Sequence, residues 1–247
     1  MSFAMTEPRH ASVAVVGAGD HIGAAITRRF AREGYLVHAG RRNGEKLAPL
    51  VQEITAAGGR CIGSTLDARN EDAVASFMRQ ADEAAPLEVA IFNVGANVNF
   101  PILDTTERVF RKVWELACYA GFLSGREAAR VMVPRGRGSI FFTGATASMR
   151  GGKGYAAFAS AKFGLRAVAQ SMARELGPQG IHVAHLVIDA GVDTAWVRER
   201  IKARGGSTEQ RTLMDPASIG EAYWQLHQQP RDAWTHELDA RPSSETW

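Results

Sequence analysis

Short apolar runs alternate along the chain with longer stretches in which apolar positions recur at helical spacing. A short apolar run bounded by turn residues reads as a strand covered on both faces, and the helical stretch between two runs reads as the crossover of a parallel βαβ unit. This pattern predicts strands at 12–16, 35–39, 61–66, 87–92, 139–143, 181–188 and 234–238. Helices are predicted at 22–33, 46–57, 71–84, 105–133, 155–176 and from 216 to about 228. Punctuation agrees with the period. Gly34 stands after the first helix and Gly177-Pro178 after the second long one, both ordinary stop signals. Asp215-Pro216 offers an N-cap followed by proline at the first helical position. The expected fold class is therefore α/β, with a doubly wound, mostly parallel seven-stranded sheet flanked by helices.

Composition narrows this picture. A chain of 247 residues that is 45% hydrophobic has material for one sizeable core, so 1–247 is read as a single domain. The 29 basic and 26 acidic residues leave a net charge of +3, too balanced to indicate nucleic acid or membrane as a partner. A small molecule remains the expected partner. No apolar run approaches the roughly 18 residues of a membrane span, and the first ten residues carry no signal-peptide pattern. Cys61 and Cys118 lack metal or redox spacing and are read as buried free thiols of a reducing, cytoplasmic protein. No metal site is expected.

The first strand-to-helix turn reads Gly17-Ala18-Gly19-Asp20-His21-Ile22-Gly23. Glycine there permits positive φ and lets backbone amides approach a pyrophosphate at the helix N-terminus. His21 either faces solvent or donates a hydrogen bond to that phosphate. Phe158 and Lys162 stand at i and i+4 of the second long predicted helix and so share a face.

Taken together, these motifs resemble the short-chain dehydrogenase/reductase family, over roughly residues 12–238. The family's glycine fingerprint is matched at Gly17 and Gly23, with His21 at the middle glycine. The resemblance implies a Rossmann fold and cofactor binding by Gly17, Gly19, His21, Ile22 and Gly23. Where NAD-preferring relatives carry an acidic residue after the second strand, this chain has Arg41 and Arg42. A guanidinium pairs with a 2′-phosphate that a carboxylate would repel, so NADP is expected over NAD, although Asp20 weighs the other way. Asp67 and Ala68 match the adenine-contacting segment, Asn93 and Gly95 the segment along the cofactor, and Thr194 the residue touching the nicotinamide end. Asp189-Ala190 replaces the family's usual Pro-Gly.

The resemblance also implies catalysis by serine, tyrosine, lysine and asparagine. Alignment through Lys162 puts Phe158 at the tyrosine, Ala145 at the serine and Ala117 at the asparagine. The expected activity is NADP-dependent carbonyl reduction or alcohol oxidation with a non-standard proton donor; the alternative is a weak or inactive NADP-binding, redox-sensing protein. Tyr155 is either a replacement donor or a pocket wall, Thr146 either a substrate contact or a satisfied turn hydroxyl, and His185 either a general acid or a buried structural histidine. A water held by Lys162 is a further candidate donor. The substrate loop is expected at about 194–214, where Trp196, Arg198, Arg200, Lys202, Arg204 and Arg211 form either an anion-reading patch or a solvated face. The two long helices imply a homodimer or homotetramer, with Trp114, Phe122, Phe163 and Leu165 available to the interface. Trp224, Trp234 and Trp247 are read as core or interface aromatics.

Overall fold

The computed structural model describes residues 6–203, 205 and 213–244; Arg204, Arg211 and Trp247, named above, lie outside them. Seven strands form one sheet: β1 (Ser12–Val16), β2 (Leu36–Arg41), β3 (Arg60–Thr65), β4 (Leu87–Phe92), β5 (Gly138–Thr143), β6 (Ile181–Ile188) and β7 (Glu237–Ala240). Their order is β3-β2-β1-β4-β5-β6-β7 and every neighbouring pair is parallel. The chain reverses its direction of winding between β1 and β4, and in such sheets the crevice at that switch point, outside the strands' carboxyl ends, takes the ligand.

Period two along the central strands sorts the core into two layers. Val13 and Val15 pack with Ile26 and Phe30 of α1 (Ile22–Arg32), Leu50 of α2 (Ala48–Ala56) and Tyr223 of α8 (Pro216–His227). Their neighbours Ala14 and Val16 face the other layer, with Phe77 of α3 (Glu71–Ala84), Leu123 of α5 (Ala120–Met132) and Leu165 of α6 (Ala156–Leu176). In chain order α4 (Glu107–Trp114) falls between α3 and α5, and α7 (Ala195–Ala203) between α6 and α8.

Several expectations need correction. The helix predicted over 105–133 begins at Glu107, because the Thr106 side chain caps it by accepting from the Val109 N–H. It also carries a π-helical turn at Glu115–Tyr119, a local widening of the kind that marks functional segments. The helix predicted from 46 is preceded by a 3-10 turn, Gly44–Leu47, and starts at Ala48 with proline in its first turn. The last strand forms at Glu237–Ala240 rather than at 234–238, and Trp234 instead lies flat on His182, ring centroids 5.0 Å apart. Leu165 is wholly buried, packed so closely over Gly121 that a Cβ there would meet it at 2.3 Å, and is not available to an interface. Trp114, Phe122 and Phe163 are exposed. Cys61 is only half-buried on the edge strand β3, whereas Cys118 is buried; burial pushes both thiols up.

Candidate functional site

The glycine turn is built by close backbone packing. Gly17 has φ +93°, and a Cβ on it would strike the Asn93 backbone at 2.9 Å. At Gly23 a Cβ would fall 2.3 Å from the Gly17 carbonyl oxygen, so α1 reaches the turn only with glycine there. Gly19 differs, since its Cβ would meet nothing within 4 Å and the space in front of it opens into the cleft. Asn93 ties the end of β4 to the turn by donating from Nδ2 to the Gly17 carbonyl at 3.1 Å. His21 is exposed at the N-terminus of α1 with φ −114°, so the turn accommodates a side chain without left-handed backbone.

Two cavities meet at this turn. The first, about 540 Å³, is lined by Gly17, Gly19, Arg41, Arg42, Lys46, Asp67, Ala68, Asn93 and Gly95. Arg41 donates to Asp20 at 2.6 Å, which holds the Asp20 carboxyl below the usual range and spends part of the arginine's charge. Asp67 is held low in the same way by Arg69, whose guanidinium donates to it at 2.6 Å. Arg42 and Lys46 are exposed at the rim. The second cavity, about 800 Å³, runs from Gly19, His21 and Ile22 past Gly95 to Thr146, Tyr155, Phe158, Lys162, Thr194 and Trp196. Backbone glycines that leave an open cradle, continuous with a basic adenosine-sized pocket at the switch point, fit a dinucleotide.

Lys162 lies in the floor of that cavity. Its Nζ donates to the Thr143 carbonyl at 2.8 Å and reaches the Val94 carbonyl at 3.5 Å, and burial pushes the ammonium down to about 8. A Cβ on Gly95 would lie 3.8 Å from Nζ, so the loop after β4 passes directly over it. The Phe158 ring centroid is 5.9 Å from the same nitrogen. Ala117 is buried in the π-helical turn, and neither it nor Ala145 carries a hydroxyl or amide. Among the described residues no cluster of His, Cys, Asp and Glu is arranged to hold a metal, and no helix is long and apolar enough to cross a membrane.

A family profile described as short chain dehydrogenase matches residues 11–205. The chain belongs to that family. It is 30% identical over 173 residues to a short-chain dehydrogenase/reductase of Armillaria gallica, covering 68% of this chain and 66% of that protein. It is 31% identical over 196 residues to the 3-oxoacyl-[acyl-carrier-protein] reductase MabA of Mycobacterium avium, covering 78% of this chain and 72% of that one. The matches thus span roughly two thirds of these relatives' length. A crystal structure of a short-chain dehydrogenase from Rhodopseudomonas palustris is 64% identical and superposes with a TM-score of 0.83 over 95% of this chain and 100% of that one. A metagenomic short-chain oxidoreductase in complex with NADP has the same fold, with a TM-score of 0.82 over 97% of this chain and 100% of that one at 23% identity.

In this short-chain dehydrogenase the remaining predicted groups separate. Tyr155 is the N-terminal boundary residue of α6 rather than part of its face, and its hydroxyl oxygen accepts from Arg200 of α7 at 3.4 Å. Thr194 lines the cavity and its oxygen accepts from the Val197 N–H at the start of α7. Thr146 donates to the buried Asp189. His185 is fully buried beneath Gly144, where a Cβ would meet Nε2 at 2.4 Å. Its Nδ1–H donates to Glu237 at 3.1 Å, and burial pushes its imidazole down to about 4, so it does not reach the cleft. Sequence reasoning missed Lys46, which the 3-10 turn after β2 brings beside Arg42, and missed the pairing of Thr146 with Asp189, which are 43 residues apart.

Proposed function

We propose that this chain is a single-domain, NADP-dependent oxidoreductase that reduces a carbonyl or oxidises an alcohol of a small molecule, with a proton donor other than the residue at 158. The observation carrying this reading is one continuous cleft that joins the glycine turn and the Arg41-Arg42-Lys46 rim to Lys162, Tyr155 and Thr146. Gly17, Gly19, His21, Ile22 and Gly23 would hold the pyrophosphate, Arg42 and Lys46 with Arg41 the 2′-phosphate, Asp67 and Ala68 the adenine, and Asn93, Gly95, Lys162 and Thr194 the nicotinamide half. The nicotinamide, when bound, supplies or accepts the hydride. The relatives with NADP or NADPH in their crystals support the cofactor choice, as does the absence of an acidic side chain at 41 and 42.

The chain's own contribution is orientation and proton handling. Lys162, fixed on two carbonyls, offers positive charge to a ribose hydroxyl. The Arg200 guanidinium donates to the Tyr155 oxygen, leaving the phenolic hydrogen for another acceptor, so Tyr155 is our donor to a carbonyl oxygen. Phe158 supplies an apolar wall that excludes water. We place the protein in the cytoplasm, without nucleic-acid or membrane partners, as a homodimer or homotetramer covering Trp114, Phe122 and Phe163.

Phe158 and Ala145 favour a second reading, a redox-sensing NADP-binding protein with weak or no turnover, because losing a positioned general acid costs about 10²- to 10⁴-fold in rate. The deciding experiment is NADPH oxidation across aldehydes, ketones, quinones and imines by wild type and Phe158→Tyr. Wild-type turnover that Phe158→Tyr leaves unimproved, and that Tyr155→Phe lowers about 100-fold, supports the enzyme. Silence from wild type and Phe158→Tyr at saturating NADPH supports the sensor.

A further inference from the structure

We infer that Asp189 is a positioning residue that presents Thr146 to the cleft as a hydrogen-bond acceptor, so that the group bound there is a donor: an alcohol O–H or an amine N–H rather than a carbonyl. The inference rests on the oxidoreductase reading above and deepens it.

Thr146 is half-buried and lines the larger cavity, whereas Asp189 lies behind it and does not. The Asp189 side chain is 9% exposed and its two carboxylate oxygens have different partners. Oδ1 accepts from the Thr146 hydroxyl, and Oδ2 faces Arg241 Nη2 at 3.4 Å. Arg241 in turn pairs with Asp239 on β7, and the Asp189 N–H donates to the Ala240 carbonyl at 2.9 Å. The acid is thus anchored from the sheet edge on both backbone and side chain.

A hydroxyl has one hydrogen and two lone pairs. With the hydrogen committed to a buried carboxylate, what Thr146 retains for a ligand is acceptor capacity. A carbonyl placed against it would set lone pair against lone pair and leave both unsatisfied, which a partly dry site penalises. Donor and acceptor roles are then divided within the cleft. Tyr155, accepting from Arg200, has its hydrogen free to give; Thr146, giving to Asp189, has only lone pairs. Selection by such a site is stronger than selection by shape, because the mismatched ligand strands a polar group.

Arg241 makes the inference testable with a near-isosteric change. In Asp189→Asn the guanidinium, itself only a donor, requires the amide oxygen on its side, which turns the amide NH₂ toward Thr146. Thr146 must then accept from Asn and aim its hydrogen into the cleft, reversing its polarity without altering its position.

The probes are cyclohexanol and cyclohexanone, titrated by NMR in their non-reacting pairings, the alcohol with NADPH-loaded and the ketone with NADP⁺-loaded protein, after cofactor saturation has been recorded for each variant. Wild type should bind the alcohol roughly tenfold better than the ketone, and Asp189→Asn should move that ratio about tenfold or more toward the ketone. Thr146→Val should bring the ratio near one, and Thr146→Ser should restore the wild-type preference. Should Asp189→Asn not fold, the Val and Ser variants at Thr146 decide the matter alone. A purely structural role for Asp189 predicts that both ligands weaken together at constant ratio; that outcome, equal wild-type affinities, or no binding of either probe overturns the inference while the cofactor reading stands. Failure of NADPH to bind wild type overturns the oxidoreductase reading, and this inference with it.

Discussion

At the glycine-turn end of the cleft the lining is backbone and the three basic side chains Arg41, Arg42 and Lys46, whereas at the Lys162 end it is single side chains, each with its own partner. The difference shows in how each end bears substitution. His21, where the sequence comparison expects a glycine, is absorbed by the turn, because its backbone is not left-handed and its side chain is exposed. Phe158 and Ala145 carry no hydroxyl, and backbone offers no substitute for one; the reading proposed above draws instead on Tyr155 and Thr146, whose hydroxyls have second partners in Arg200 and Asp189. Geometry made by backbone is redundant; proton chemistry made by a side chain is not.

The severest challenge to this contrast is a pair of glycine substitutions. Gly23→Ala forces a Cβ to within 2.3 Å of the Gly17 carbonyl, and NADPH affinity by fluorescence titration should fall at least about 100-fold together with a lower Tm. Gly19→Ala, with nothing within 4 Å of its Cβ, should keep the wild-type Tm yet weaken NADPH, since the methyl occupies the phosphates' space. Near-wild-type NADPH affinity in Gly23→Ala would show that the turn is less exacting than its packing implies.

A smaller effect sharpens the shared-charge half of the comparison. Reversing Arg42 and Lys46 together to Glu should lower the preference for NADPH over NADH roughly 10- to 100-fold, measured as a ratio of Kd values. Arg41→Ala alone should cost only a few fold, because Asp20 already holds that guanidinium. Equal losses in Arg41→Ala and Arg42→Ala would mean that Asp20 does not withhold the Arg41 guanidinium from the cofactor.

The effect expected to touch the cleft least concerns the stability contributed by two buried histidines, His185 beneath Gly144 and His227 beside Tyr35 and Ser139. Burial pushes His185 and His227 down to about 4 from an ordinary 6.5, so between those values the unfolded chain binds protons that the folded chain refuses. Stability attributable to them is present above pH 6.5 and is lost as pH falls toward 4, by up to about 3 kcal/mol each as an upper bound. Urea denaturation across that range should show the decline, and His185→Gln should flatten part of it while leaving NADPH affinity unchanged. A decline of the same size in His185→Gln would assign the loss to other groups, with His227 first among them.

Apolar period and turn residues were enough to find the sheet, every labelled helix except α7 (with α4 and α5 read as one) and the glycine turn, since these are local consequences of sequence. They misplaced the last strand, because nothing local says that Trp234 prefers the face of His182 to a place in a ladder. They also offered Leu165 to an interface: apolar character is visible in a sequence, but which side of a long helix meets the sheet depends on where the helix lies. The π-helical turn at Glu115–Tyr119 left no mark in the apolar pattern, which continues through it.

By itself the sequence determined the α/β class, the order of the elements, the family likeness, and the fact that residue 158 has no hydroxyl. Only the tertiary structure decided what the remaining groups do. It brought Lys46 beside Arg42 at the rim of the cleft and buried His185 away from it. It set Lys162 on two carbonyls, and closed Thr146 onto Asp189 and Tyr155 onto Arg200. The physical reason is that backbone preferences act over a few residues, whereas the direction in which a hydroxyl points its one hydrogen is settled by whichever acceptor the fold places beside it.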